Sequence, residues 1–173
     1  MANRVVLGLQ WGDEGKGKIV DLYSRDADII ARCQGGANAG HTVKVGDDIF
    51  KLHLVPSGIL HPHTVCVIGN GVALDPFQLL KEIRALEERG VRTEKRILVS
   101  GRAHLVMPYH KIIDEIQEEA RGSASLGTTR RGIGPAYNDK IGRCGIQFAD
   151  IFDDRVLRQK IEENFEIKKH FFE

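Results

Sequence analysis

The sequence predicts an α/β fold, with a mostly parallel central sheet, helices on both faces and a P-loop-like nucleotide-binding architecture. Three observations predict it. The apolar run RVVLGLQ (4–10) reads as a buried strand and leads into a glycine-rich loop, GDEGKGK (12–18). KGKIVDLYS (16–24) then has helical spacing. DADIIARCQ (26–34) reads as a second strand, and it too ends in a glycine-rich loop, GGANAGHT (35–42). Strand, loop, helix and strand at this length make one βαβ unit, which favours a parallel sheet.

The later elements follow in order. DDIFKLHLVPSG (47–58) and TVCVIGNGVAL (64–74) read as strands, with a turn expected at Gly69 to Val72. Asp75 and Pro76 form a helix start, an N-cap followed by proline in the first turn. Leu79, Leu80, Ile83 and Leu86 give that helix an apolar face, and Gly90 is its stop signal. RILVS (96–100) is a further strand, and YHKIIDEIQEEAR (109–121) a further helix. The charged faces near 82–95 and 115–121 read as solvated surface. In DRVLRQKIEENFEIKKHFFE (154–173), Leu157, Ile161 and Phe165 recur at helical spacing before two adjacent phenylalanines, Phe171 and Phe172. Two phenylalanines against solvent at a terminus suggest a chain cut inside a larger fold. The expected organisation is therefore residues 1–173 as the N-terminal part of a single larger α/β domain.

Composition restricts the function. Hydrophobic residues make up 42% and charged residues 28%, and 25 basic residues nearly balance 24 acidic ones, for a net charge of +1. That balance argues against nucleic acid or an anionic membrane as the main partner, so phosphate recognition has to be local. No apolar run reaches the length of a membrane span, and the N-terminus lacks a signal-peptide layout. Cys33, Cys66 and Cys144 have no metal-ligand spacing and read as buried or inert thiols in a reducing cytoplasm. His53, His61, His63, His104, His110 and His170 form no metal-ligand pattern either.

Chemistry is expected in three loops. In the first, Gly12, Gly15 and Gly17 let backbone N–H groups turn toward phosphate oxygens, while Lys16, Lys18 and the helix N-terminus add positive charge. The Walker pattern G-x-x-x-x-G-K would continue with Ser or Thr to hold magnesium, but Ile19 stands there. Asp13, a carboxylate inside an anion-seeking loop, can supply the missing metal ligand or handle a proton. In the second loop, His41 suits a general acid or a donor to a leaving phosphate, with Asn38 and Thr42 as neutral partners. The third, LGTTRRGIGPAY (126–137), sets Thr128, Thr129, Arg130 and Arg131 between glycines, a combination suited to phosphate or carboxylate.

Taken together, QWGDEGKGK, QGGANAGHT, LHLVPSGIL, IGNGV and GTTRRGIGPAY resemble the adenylosuccinate synthetase family, in its order and spacing. The resemblance runs from Val5 to Asp150 and continues toward the end. Arg130 stands where many members have glycine, and Cys144 where a second arginine is frequent. Family members are considerably longer, and the remainder would carry guanine recognition, the aspartate-binding loop and further inosinate contacts.

The resemblance implies GTP-dependent ligation of inosinate (IMP) and L-aspartate to adenylosuccinate, through a 6-phosphoryl intermediate, with a magnesium ion (Mg2+) bound. Asp13, His41 and Lys16 would be catalytic. GTP would lie along Gly12, Asp13, Glu14, Gly15, Lys16, Gly17 and Lys18, and along Gly40, His41 and Thr42. IMP would contact Asp13, Glu14, Gly15 and Lys16, then Asn38, Ala39, Gly40 and His41, and finally Thr129 and Arg143. The metal would sit on Asp13 and the backbone oxygen of Gly40. Arg143 would reach into the neighbouring subunit of a cytoplasmic homodimer, and Arg131 would assist on the aspartate side. A non-catalytic nucleotide-binding fragment, or another phosphoryl-transfer enzyme on the same loops, is the alternative.

Overall fold

A computed structural model describes residues 3–10 and 14–172. Its centre is a parallel sheet. Strand β1 (Ile29–Gly36) pairs with β4 (Val65–Leu74), and β4 pairs along its other edge with β5 (Ile97–Val99) and β6 (His104–Leu105). A separate antiparallel hairpin joins β2 (His41–Val45) to β3 (Asp48–Leu52). The helices are α1 (Lys16–Ser24), α2 (Pro76–Glu87), α3 (Pro108–Ala120), α4 (Ile133–Ile141) and α5 (Asp154–Lys168).

The two faces of β4 explain the layering. Successive strand side chains point to opposite sides. Cys66, Ile68, Val72 and Leu74 join one apolar core with Leu79 and Leu86 of α2. Ala73, on the opposite face, packs with Val106 and with Ile133, Ala136 and Tyr137 of α4. Helices therefore cover both sides of the sheet, as expected. Burial pushes the Cys66 thiol up to about 12, which makes it inert, whereas Cys33 is exposed. No helix among the described residues is long and apolar enough to cross a membrane.

Asp75 caps α2 as its sequence predicts, accepting from the N–H groups of Phe77 and Gln78, each at 3.1 Å. Four other expectations need correction. Residues 3–10 form no strand, and Val5, Leu7 and Leu9 are 80%, 76% and 91% exposed. A buried strand needs a ladder partner and a covering layer on each face, and this segment has neither here. Gly69 to Val72 form no turn but continue β4; the irregularity is a bulge at Gly69 and Asn70, which together stand opposite Cys33 alone where the register shifts between Arg32 and Gln34. An extra residue in one strand relieves the mismatch without ending either. The expected strand over 47–58 ends at Leu52, and its partner begins at His41, inside what reads as a loop. Finally, Glu82 and Glu118 are 4% exposed, not solvated, because each turns its carboxylate onto backbone N–H groups.

Candidate functional site

The first loop is described from Glu14 onward; the expectations on Gly12 and Asp13 lie outside the described residues. Gly15 takes a left-handed conformation, φ 81°, directly before α1. Alanine there would be strained. No side chain caps α1, and its first turn carries Lys16 and Lys18 but no acid. Cations at a helix N-terminus oppose the helix dipole, so this end is built to meet an anion. Lys16 pairs with the Glu14 carboxylate, which also accepts from Gln10 N–H at 3.0 Å. The Lys16 ammonium is the main cause of a Glu14 carboxyl lowered to about 2.

The second loop reaches α1 through Gly17. A Cβ built on Gly17 would stand 2.8 Å from His41 Cβ, so only glycine admits this contact. His41 begins β2, and its Nε2 is buried without a hydrogen-bond partner among the described residues. Burial, and then the charge of Arg32, push its imidazole below the ordinary value of 6.5, so it is neutral at pH 7. A buried, neutral and unpaired ring nitrogen beside an uncapped helix is suited to a ligand.

Arg32 and Glu82 fix this region from beneath. The Arg32 guanidinium donates to the carbonyls of Gln34 at 3.2 Å and Gly36 at 2.8 Å, and to that of His53. The Glu82 carboxylate accepts from the N–H groups of His53 (3.1 Å), Leu54 (3.0 Å) and Val55 (3.0 Å). The end of β1 and the return of the hairpin are thereby tied to α2. The His53 ring packs on Gly40, with its Nδ1 buried and unpartnered among the described residues.

The third loop is held by the buried face of α3. Asp114 accepts from Thr128 Oγ1 at 3.1 Å and from Gly132 N–H at 2.8 Å, and Glu118 accepts from Gly127 N–H at 2.7 Å. Its two arginines diverge. Arg131 donates to the Ala37 carbonyl at 2.9 Å and so joins the second and third loops. Arg130 points outward to Glu115 at 3.0 Å and Glu119 at 3.7 Å, a surface ion pair rather than an anion site. Tyr137 bridges from α4 to the sheet, accepting from Gly35 N–H at 3.0 Å and donating to the Gly71 carbonyl at 2.7 Å. Between the loops lies a cleft of about 530 Å³, lined by Asn38, Thr128, Thr129, Ile133 and Tyr137 among others.

Glu14 and Gly15 thus lead into α1, which carries Lys16, Gly17 and Lys18, with His41 against Gly17, while Asn38 and Thr129 share the cleft. Ala39 and Gly40 are exposed in the turn between, and Thr42 is exposed on β2. Arg143 is not brought in. It lies past the far end of α4, roughly 12 Å along the helix from Ile133, exposed and left-handed at φ 61°. No group of three or more His, Cys, Asp or Glu side chains is placed to hold a metal ion among the described residues. A carboxylate at Asp13, the Gly40 carbonyl and phosphate oxygens are nonetheless a hard oxygen set of the kind magnesium takes.

Glu82, Asp114 and Arg32 are missing from the site read in the sequence. The signal for Glu82 was present, since it falls three residues after Leu79 and four before Leu86, on the buried stripe. Asp114 likewise lies one turn after His110, which is fully buried.

Comparison with known proteins shows the family. The family model described as adenylosuccinate synthetase matches residues 5–173. An adenylosuccinate synthetase of Acetivibrio thermocellus is 52% identical over 173 residues, which is all of this chain and 41% of that protein. That of Synechococcus elongatus is 56% identical over 161 residues, 93% of this chain and 36% of its own length. The chain therefore spans well under half of these relatives. Among solved structures, the fully ligated adenylosuccinate synthetase of Plasmodium falciparum superposes with a TM-score of 0.86 at 38% identity, over 95% of this chain and 39% of that one. A cyanophage S-2L succinoaminodeoxyadenylate synthetase, bound to dGMP and to dATP as an energy donor, gives 0.66 at 27% identity over 84% of this chain and 40% of its own.

Proposed function

Since the chain belongs to the adenylosuccinate synthetase family, we propose that it supplies the phosphate-handling part of an enzyme joining IMP to L-aspartate with GTP. The observation that carries this reading is the packing of His41, its Nε2 unpartnered among the described residues, against the uncapped start of α1 at Gly17.

The reaction needs a poor leaving group, the purine 6-oxygen, made into a good one. Asp13 takes the proton from ring N1, and the electron pair moves onto the 6-oxygen. That oxygen attacks the γ-phosphorus, and the bond to GDP breaks. The aspartate amine then adds at C6 and loses a proton, and the C6–O bond breaks to release phosphate. GTP phosphates lie along Gly12 to Lys18 and along Gly40 to Thr42, where α1 amides and Lys16 meet them. Lys16 exchanges Glu14 for phosphate as the nucleotide enters. The neutral His41 imidazole donates from Nε2 to the phosphoryl oxygens as charge develops there. Magnesium, when bound, is held by the Asp13 carboxylate and the Gly40 carbonyl and offsets phosphate charge. IMP occupies the cleft of Asn38 and Thr129 and contacts Asp13 to Lys16, Ala39, Gly40 and His41. Arg143 serves the IMP site of a second copy in a cytoplasmic homodimer, which agrees with its exposed, outward position.

Adenylosuccinate formation by mass spectrometry tests this, with GTP, magnesium, IMP and aspartate supplied to a full-length form, to this 173-residue chain and to full-length Asp13→Ala. Product is expected from the full-length form alone. Nucleotide turnover without aspartate would favour another phosphoryl-transfer enzyme. No turnover in the full-length form, with nucleotide still bound, would favour a non-catalytic binding protein. One observation supports a second reading of the donor: the cyanophage relative carries dATP in that role, so ATP competition against GTP belongs in the same assay.

A further inference from the structure

Past α4 the chain makes a tight turn through Gly142 to Gly145, with Arg143 at its tip. Asp139 holds this turn twice. Its carbonyl accepts from the N–H groups of Cys144 and Gly145, each at 3.1 Å. Its carboxylate accepts from His110 Nε2 at 2.8 Å, Lys168 Nζ at 3.1 Å and the Tyr109 hydroxyl at 3.3 Å. Because His110 Nδ1 accepts from Met107 N–H at 2.9 Å, the ring proton sits on Nε2 and points at Asp139.

Helix α5 grips the same turn from outside. Asn164 donates to the Cys144 carbonyl at 2.7 Å, and its oxygen accepts from Lys168 Nζ at 2.7 Å. The His104 ring packs on Gly145. His110, Asn164, Lys168 and Asp139 are all buried, none more than 7% exposed. A buried charge pair is weak evidence for stability, because desolvation offsets the attraction, and fixing one arrangement is a better-attested use. Here the arrangement fixed is a left-handed arginine, a conformation that persists only where surroundings hold it. The Arg143 side chain itself makes no hydrogen bond or ion pair among the described residues.

We propose that Asp139, Asn164 and Lys168 form a clamp that aims Arg143, which makes α5 a positioning element for the IMP site of a second copy. This rests on the reading of Arg143 as a contact to that site. The test is a double-mutant cycle in a full-length form, with KM for IMP, KM for GTP, kcat and melting temperature measured throughout. Asn164→Ala is expected to raise KM for IMP by about tenfold, the equivalent of one good hydrogen bond, with kcat and KM for GTP unchanged. Added to Arg143→Leu, it should raise KM for IMP no further, because both act through one guanidinium. If Arg143→Leu leaves KM for IMP unchanged, the reading of Arg143 fails and the clamp with it. If Arg143→Leu raises KM but Asn164→Ala does not, or adds its full effect on top, the clamp alone fails. Equal damage to every kinetic constant with a lower melting temperature would mark Asn164 as structural only. Should Asn164→Ala not fold, Asn164→Ser, whose hydroxyl is too short to reach Cys144, takes its place under the same outcomes.

Discussion

The start of the chain and the middle of it carry motifs of equal clarity but are built in opposite ways. At residues 3–24 the apolar side chains of Val5, Leu7 and Leu9 face outward, α1 has no cap, and the Glu14–Lys16 pair lies at the surface. At residues 108–137 every turn of loop rests on a buried acceptor, with Asp114 under Thr128 and Gly132, and Glu118 under Gly127. The difference teaches that two kinds of loop can share one fold. One leaves its helix start without a side-chain cap and pairs Lys16 with Glu14 near the surface; the other turns its acids onto the backbone and so shapes the loop in advance.

The contrast is tested most sharply at Glu82, a buried acceptor of the same kind on α2. Removing a buried carboxylate that holds three backbone N–H groups leaves all of them unsatisfied. Glu82→Ala should lower unfolding stability by at least about 3 kcal/mol in denaturant melts, whereas Glu14→Ala at the surface should change it little. Equal losses would erase the distinction. Asp114→Ala should cost about 2 kcal/mol by the same mechanism and should expose the amide of Gly132 to hydrogen exchange. Protection unchanged at that amide would mean that the loop holds its own shape.

At the front the expected damage is to chemistry rather than stability. Gly17→Ala pushes a methyl into His41 Cβ, and turnover of a full-length form should fall about tenfold, equivalent to ~1.4 kcal/mol, with the melting temperature nearly kept. A large loss of melting temperature instead would show that α1 is as tightly built as α3. The smallest effect concerns pH. Burial lowers the affinity of His41 for a proton, so below its ordinary value of 6.5 the unfolded chain binds more protons than the native one. The contribution is present above that value and is lost as pH falls. His41→Asn should therefore flatten the decline in stability measured between pH 7.5 and 5.5. An unchanged slope would place the titrating group elsewhere.

Much of this was legible in the sequence. The helix at 16–24 followed by a strand near 29–36, and the Asp75–Pro76 helix start, follow from local rules, because periodicity and capping act over a few residues. Burial of Glu82 and Glu118 was misread and that of Asp114 not read at all, since these acids satisfy their carboxylates on backbone outside their own helices: Glu82 on residues 53–55, Glu118 on Gly127 and Asp114 on Gly132. The helical stripe containing Leu79, Glu82 and Leu86 held the clue, as did Asn164 and Lys168, buried on α5 while Phe165 is exposed. The strand expected at 4–10 failed for the complementary reason: its hydrophobicity states a need for cover, and the described residues provide none. Arg130 and Arg131 read alike in sequence and separate in space, because the left-handed backbone at Arg130, φ 52°, turns its side chain toward Glu115.

The most direct test of the central claim follows one oxygen atom. IMP labelled with ¹⁸O at the 6-position would be supplied to a full-length form with GTP, magnesium and aspartate, and the released phosphate analysed by mass spectrometry. Attack of the 6-oxygen on the γ-phosphorus predicts one label in each phosphate and none in adenylosuccinate, with both signals abolished by Asp13→Ala. Unlabelled phosphate formed alongside adenylosuccinate, or phosphate released with no aspartate present, would contradict the account.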